Sequence, residues 1–118
     1  MSKFDLTQLR QFTGTQTYWR ISHYVVMTDG AKYVADQARA YWLMDAIASY
    51  LPQFTHKEDF IAVKLCVTGS AADLVLDDGN NNVLVQQHIP YTDFPLASLT
   101  LYACWAGEHW VIMLPSEY

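Results

Sequence analysis

The sequence predicts an α+β fold, and three observations predict it. Residues 30–50 carry an apolar period close to that of a helix, and from Asp59 onward the period changes to two. The second half is also punctuated by Gly, Asn, Asp and Pro at hairpin spacing. Helical and strand-like stretches are therefore segregated along the chain, which indicates α+β. The expectation is one domain, 1–118, with N-terminal helices on one face of an antiparallel meander of about four to five strands.

Each element follows from its residues. Residues 5–12 read as a short helix, with Asp5 as cap, Leu6 and Leu9 three apart, and Gly14 ending it. Tyr18 to Met27 is aromatic and β-branched, which suits a strand or an extended segment. The main helix runs from about Gly30 to Tyr50, capped by Thr28 or Asp29, with Pro52 just beyond its end. Val34, Ala35, Ala38, Tyr41 and Trp42 share its apolar side. The pattern breaks later: Leu43 and Ile47 fall on the polar side and Asp45 on the apolar side. A buried, hydrogen-bonded Asp45 with covered Leu43 and Ile47 is the favoured resolution, and an exposed apolar interface is the other.

The strands are clearer. In Phe60–Thr68, Ile61, Val63, Leu65 and Val67 point one way, Lys64 and Thr68 the other. Gly69-Ser70 make a turn, and Ala72–Leu76 and Val83–Ile89 flank the Asp77–Asn82 loop. Pro90 and Pro95 hold Tyr91-Thr92-Asp93-Phe94 outside the ladder. Leu99–Ala106 and His109–Leu114 then enclose a two-residue Gly107-Glu108 turn.

Composition narrows the function classes. Charged residues are only 16% of the chain and net charge is −5. The seven basic residues are scattered, with no stripe to neutralise phosphates, so direct nucleic-acid binding is disfavoured. No apolar run reaches the ~18 residues of a membrane span, and the first residues do not resemble a signal peptide; a soluble protein of the host bacterial cytoplasm is expected. Cys66 and Cys104 belong to no C-x-x-C pair and read as small buried hydrophobes.

Catalytic vocabulary is thin. His23, His56, His88 and His109 have no zinc spacing, and the 77–82 loop lacks the distal Glu of a calcium loop, so no metal and no cofactor is expected. The aromatics are the stronger lead. With 8 Tyr, 4 Trp and 5 Phe the chain carries more rings than a core of this size readily hides. Tyr18, Trp19, Tyr91, Asp93, Phe94, Trp105 and Trp110 are the expected contact residues, because Tyr and Trp dominate interface hot spots.

Several stretches together resemble a family of small uncharacterised proteins encoded by bacteria, phages and plasmids. They are Phe12–Thr15, Met27–Tyr33, Ala40–Ser49, Tyr91–Leu96 and Leu114–Tyr118. The chain departs from that family where a Trp would precede Lys64; here the residue is Val63. The resemblance implies no catalytic residues. It implies a mobile-element accessory protein, and by analogy one that binds a host defence or regulatory protein, as anti-CRISPR inhibitors do. The leading expectation is a non-enzymatic protein-binding module. The alternatives are a small hydrolase or transferase using Asp45 with a nearby His, and a homo-oligomeric structural protein, for which a homodimer is the simplest form.

Overall fold

The structure is a computed structural model that describes residues 14–118, so the helix expected over residues 5–12 lies outside the described residues. Among the described residues, two helices pack on one face of a seven-stranded sheet. The strands are β1 (Trp19–Ser22), β2 (Val25–Met27), β3 (Phe60–Thr68), β4 (Ala71–Asp77), β5 (Val83–Ile89), β6 (Ser98–Trp105) and β7 (Trp110–Met113). The helices are α1 (Asp29–Gln37) and α2 (Tyr41–Tyr50), and a 3₁₀ turn, Leu51–Phe54, follows α2.

The α+β class holds, but the sheet is larger than expected and is not a meander. Its order is β1-β2-β7-β6-β3-β4-β5. Two differences account for this. The Tyr18–Met27 stretch folds into a hairpin with Arg20 opposite Val26, adding two strands. The segment after β5 then carries the chain past β4, so β6 pairs with the free side of β3, Val63 opposite Leu101. One pair is parallel: Val25, Val26 and Met27 lie beside Trp110, Val111 and Ile112. Their sequences show why this pair is central. Both are continuous apolar runs, the pattern of a strand covered on both faces, and Val26 and Val111 are each only 8% exposed although they face away from the helices.

The core lies between the helices and the sheet. Leu43, Met44 and Ile47 of α2 meet Ile61, Val63 and Leu65 of β3, Leu74 and Leu76 of β4, and Leu101 of β6. Each such side chain contributes about 2 kcal/mol by leaving water. Helix α1 lies against β2 and β7. Helix α2 packs against β1, and its Tyr50 hydroxyl donates to Gln87 Oε1 on β5, so the helical layer touches both edge strands.

The expected single helix over 30–50 is two helices. Arg39 has φ 52°, and Ala40 N donates to Ala35 O at 2.9 Å. That bond and that left-handed residue form the Schellman end of α1, with Arg39 in the place glycine usually takes. The break resets the helical phase. Leu43 and Ile47 are buried as expected, but Asp45 is exposed, not sealed in the core.

The start of α1 is held unusually well. Thr28 is the N-cap: its Oγ1 accepts from Ala31 N at 3.3 Å. Asp29 N donates to Thr15 Oγ1 at 2.9 Å, and Gly30 N donates to Glu117 Oε2 at 3.1 Å. Glu117 Oε1 accepts from the Thr28 hydroxyl at 2.6 Å and from Leu114 N at 2.9 Å. Three helix amides that lack intrahelical acceptors are thus satisfied by three side chains, one from the cap itself and two from elsewhere in the chain. Two carboxylates, Asp29 and Glu117, also face the positive end of the helix dipole.

The two ends of α1 respond oppositely to substitution. Arg39→Gly removes left-handed strain and should raise unfolding free energy by roughly 0.5–1 kcal/mol in urea titration. Gly30→Ala should do the opposite, because a Cβ there would lie 2.6 Å from Leu114 Cδ1 and against the Glu117 carboxylate. A loss of about 1–3 kcal/mol is expected, with a similar loss for Glu117→Ala, which leaves Gly30 N without its acceptor.

Candidate interaction site

The structure separates the seven expected contact residues. Trp110 is fully buried, and its indole Nε1 donates to Thr55 Oγ1 at 3.0 Å. Phe94 is 6% exposed and belongs to the core; buried Thr92 accepts from Phe94 N at 3.1 Å and fixes that turn. These two rings serve folding. Tyr18, Trp19, Tyr91 and Asp93 are exposed, and Trp105 is half-buried.

The exposed residues do not form one patch either. The 91–94 loop lies at one end of the sheet, where Thr92 N donates to Ser70 O. The 105–110 hairpin lies at the other end. The length of β6, Ser98 to Trp105, separates them by about 23 Å. Trp19 is engaged on the α1 side: its Nε1 donates to Asp29 Oδ1 at 3.1 Å, and Lys32 Nζ lies 4.6 Å from its ring centroid.

The hairpin end is where accessible rings and concave surface coincide. Ala106 N donates to His109 O at 2.9 Å, and Gly107 has φ 94°, the positive angle a tight hairpin turn demands at its first central residue. Trp105 packs on Trp110, with ring centroids 5.6 Å apart. Trp110 N in turn donates to Tyr24 O at 2.8 Å, tying the β1–β2 turn to the hairpin. Arg20 Nη1 braces the same turn by donating to the Ser22 and His23 carbonyls.

Two grooves flank this hairpin, one on each side of the sheet. On the face away from the helices, Tyr18, Arg20, Val26, Ala106, His109 and Val111 line a groove of about 440 Å³. Its floor is apolar, and its rim carries a guanidinium and an imidazole. On the helix side, Tyr24, Pro52, Thr55, His56, Trp105 and Glu108 line a second groove of about 380 Å³. His56 stands at φ 70° with its ring 6.1 Å from that of Trp105. Tyr24, Arg20, His56 and His109 were not singled out from the sequence as contact residues. Their only local signal is that polar or aromatic residues interrupt apolar strands at turns.

Other candidates resolve differently. Cys66 is exposed on the face away from the helices, not buried, because it sits between inward-facing Leu65 and Val67. Cys104 is half-buried on the same face, and desolvation pushes its thiol pKa up. Cys66 pairs with Ser98 and Cys104 with Phe60, so roughly 20 Å separates the two, too far for a disulfide. His88 Nδ1 lies 2.9 Å from Asp73 Oδ1 across strands β4 and β5. In the 77–82 loop the carboxylates close the turn. Asp77 accepts from Gly79 N and pairs with Lys64 at 3.1 Å, while Asp78 accepts from Asn80 N and the Asn82 side chain. Among the described residues, no three His, Cys, Asp or Glu side chains converge on one point.

Hydrogen bonds and an ion pair polarise three carboxylates. The Gln16 amide and the Trp19 indole hold Asp29 below its ordinary pKa of 3.8; Lys32 does the same for Asp36, and Asn82 for Asp78. Asp36 in return raises Lys32 and Tyr41. A depressed folded-state pKa stabilises the fold above the unfolded value and ceases to do so as pH falls through the folded one. The stability difference between wild type and Asp29→Asn should therefore be full near neutrality and shrink below about pH 4. Thermal unfolding at a series of pH values measures it; a pH-independent difference would show that the charge of Asp29 is irrelevant.

Among the described residues no helix is long and apolar enough to cross a membrane. No curated protein and no solved structure matches the chain. The profile of one protein family does, over residues 3–118. With nearly every position covered, the chain belongs to that family, DUF6876, a family of unknown function.

Proposed function

We propose that the protein is a binding module for another protein and that it grips its partner at the 105–110 hairpin end. The observation that carries this reading is the pairing of accessible rings with a rigid base. Tyr18 and Tyr24 are 59% and 53% exposed, yet the turn that carries Tyr24 is tied to buried Trp110, and Tyr18 immediately precedes strand β1. Rings held this way lose little conformational freedom on binding, and that is the property of interface anchors. The net charge of −5 favours a partner with a basic surface and speeds encounter with it. The proposal extends to the class of mobile-element accessory proteins that obstruct a host nucleic-acid-dependent defence complex. That extension rests on the family resemblance and on the charge alone.

Both tyrosines can be truncated with little effect on folding, since exposed side chains away from special features change stability by about 0.5 kcal/mol or less. Immobilised Tyr18→Ala/Tyr24→Ala protein should capture its partner from host lysate at least about 30-fold less well than wild type. Tyr91→Ala, altered at the far end of the sheet, should capture normally. Full capture by the folded double variant would remove the hairpin end as the binding surface.

A further inference from the structure

The groove on the face away from the helices is assembled across several strands. Arg20 on β1 lies opposite Val26 on β2, and Val26 lies beside Val111 on β7. Neighbouring strands are about 5 Å apart, so Arg20 and Val111 are separated by about 10 Å across a floor of two valines. Tyr18 lines the groove beside Arg20, and Ala106 and His109 line it at the hairpin. Its volume of about 440 Å³ falls in the lower part of the roughly 300–1,000 Å³ typical of small-molecule sites, which are mostly apolar with a few fixed polar groups.

The charge in this groove runs against that of the chain. The sequence carries 12 Asp and Glu against 7 Lys and Arg, yet among the described residues no carboxylate lines the groove. Among the described residues no carboxylate pairs with Arg20 either. Its Nη1 instead donates to Ser22 O at 3.3 Å and to His23 O at 2.8 Å. These bonds hold the guanidinium in place and leave its Nε–Nη2 edge, a pair of donors that grips a carboxylate bidentately.

We propose that this groove binds a small organic carboxylate with a flat apolar body. The carboxylate meets Arg20, and the body lies over Val26 and Val111 against the Tyr18 ring. Charge selects an anion, the apolar floor disfavours a hydrated inorganic one, and the volume limits the body to about two fused rings.

Titrating naphthoate into isotope-labelled protein and following backbone amide NMR shifts tests this. Shifts should centre on Val26, Ala106, His109 and Val111 and saturate with a dissociation constant of about 1 mM or below. Naphthylmethanol, similar in shape but uncharged, should bind at least about tenfold more weakly. Arg20→Gln should weaken naphthoate binding about tenfold and leave naphthylmethanol unchanged. Because Arg20 also braces the β1–β2 turn, Ala106→Trp at an exposed position provides a second variant. Its indole should fill the groove and weaken both ligands with little change in thermal melting. Equal affinity for naphthoate and naphthylmethanol, shifts centred elsewhere, no saturation by about 10 mM, or wild-type binding by a folded Ala106→Trp variant would overturn the proposal. So would binding of a short peptide with a free C-terminal phenylalanine in place of naphthoate, which would assign the groove to a protein terminus. These titrations contain no partner, so their failure and a failure of partner capture are read separately.

Discussion

The first turn of α1 is the constraint on which the rest of the molecule depends. A helix start exposes amides that its own carbonyls cannot reach, and burial against a sheet makes each unmet amide costly. Here Thr15, Thr28 and Glu117 answer three consecutive amides from three separate regions. The bonds join the segment before β1, the loop after β2 and the turn after β7. They therefore hold the parallel β2–β7 pair in register from outside the ladder. Thr28 N reinforces this by donating to Ile112 O. Gly30 fits because no side chain could share the space with Glu117.

This node also explains much of the family resemblance in physical terms. Three of the stretches that carry it, around Thr15, Thr28-Asp29-Gly30 and Glu117, meet at one point in space. A fourth, around Tyr91-Thr92-Asp93-Phe94, seats a ring in the core and locks its own turn. What these stretches have in common is folding, and the 105–110 hairpin lies outside them. At the hairpin end Trp110 is buried beneath rings that stay accessible, Tyr24 and the half-buried Trp105.

How much of this was legible in the sequence follows from the range of the interactions. Local patterns were readable. β3 matches the alternating run that predicts it, β5 matches the stretch that follows the 77–82 hairpin loop, and Thr28 caps as its type and position suggest. Asp45 shows where locality fails: its misplaced phase was the trace of a break at Arg39, a residue whose side chain does not announce a left-handed backbone. The parallel pair was written in the unalternating runs Val25–Met27 and Trp110–Ile112, but only their contact makes the pattern meaningful. Glu117 could not be linked to Gly30 across 87 residues by spacing alone. Aromatic content indicated rings in excess of core needs. It could not say that Trp110 and Phe94 fill the interior while Tyr18 and Tyr24 do not, because burial is a property of the assembled sheet.

The place of β7 in the sheet has a consequence for how the chain is made. β7 follows every other strand in sequence yet sits between β2 and β6. A ribosome therefore delivers β3 to β6, which pair among themselves, before the piece that connects them to the N-terminal hairpin exists. Until then the apolar residues of β2 have no neighbour on one side, and the nascent polypeptide carries two unjoined halves. Such long-range closure is slow compared with local pairing, so the interval is one in which chaperones have a surface to hold.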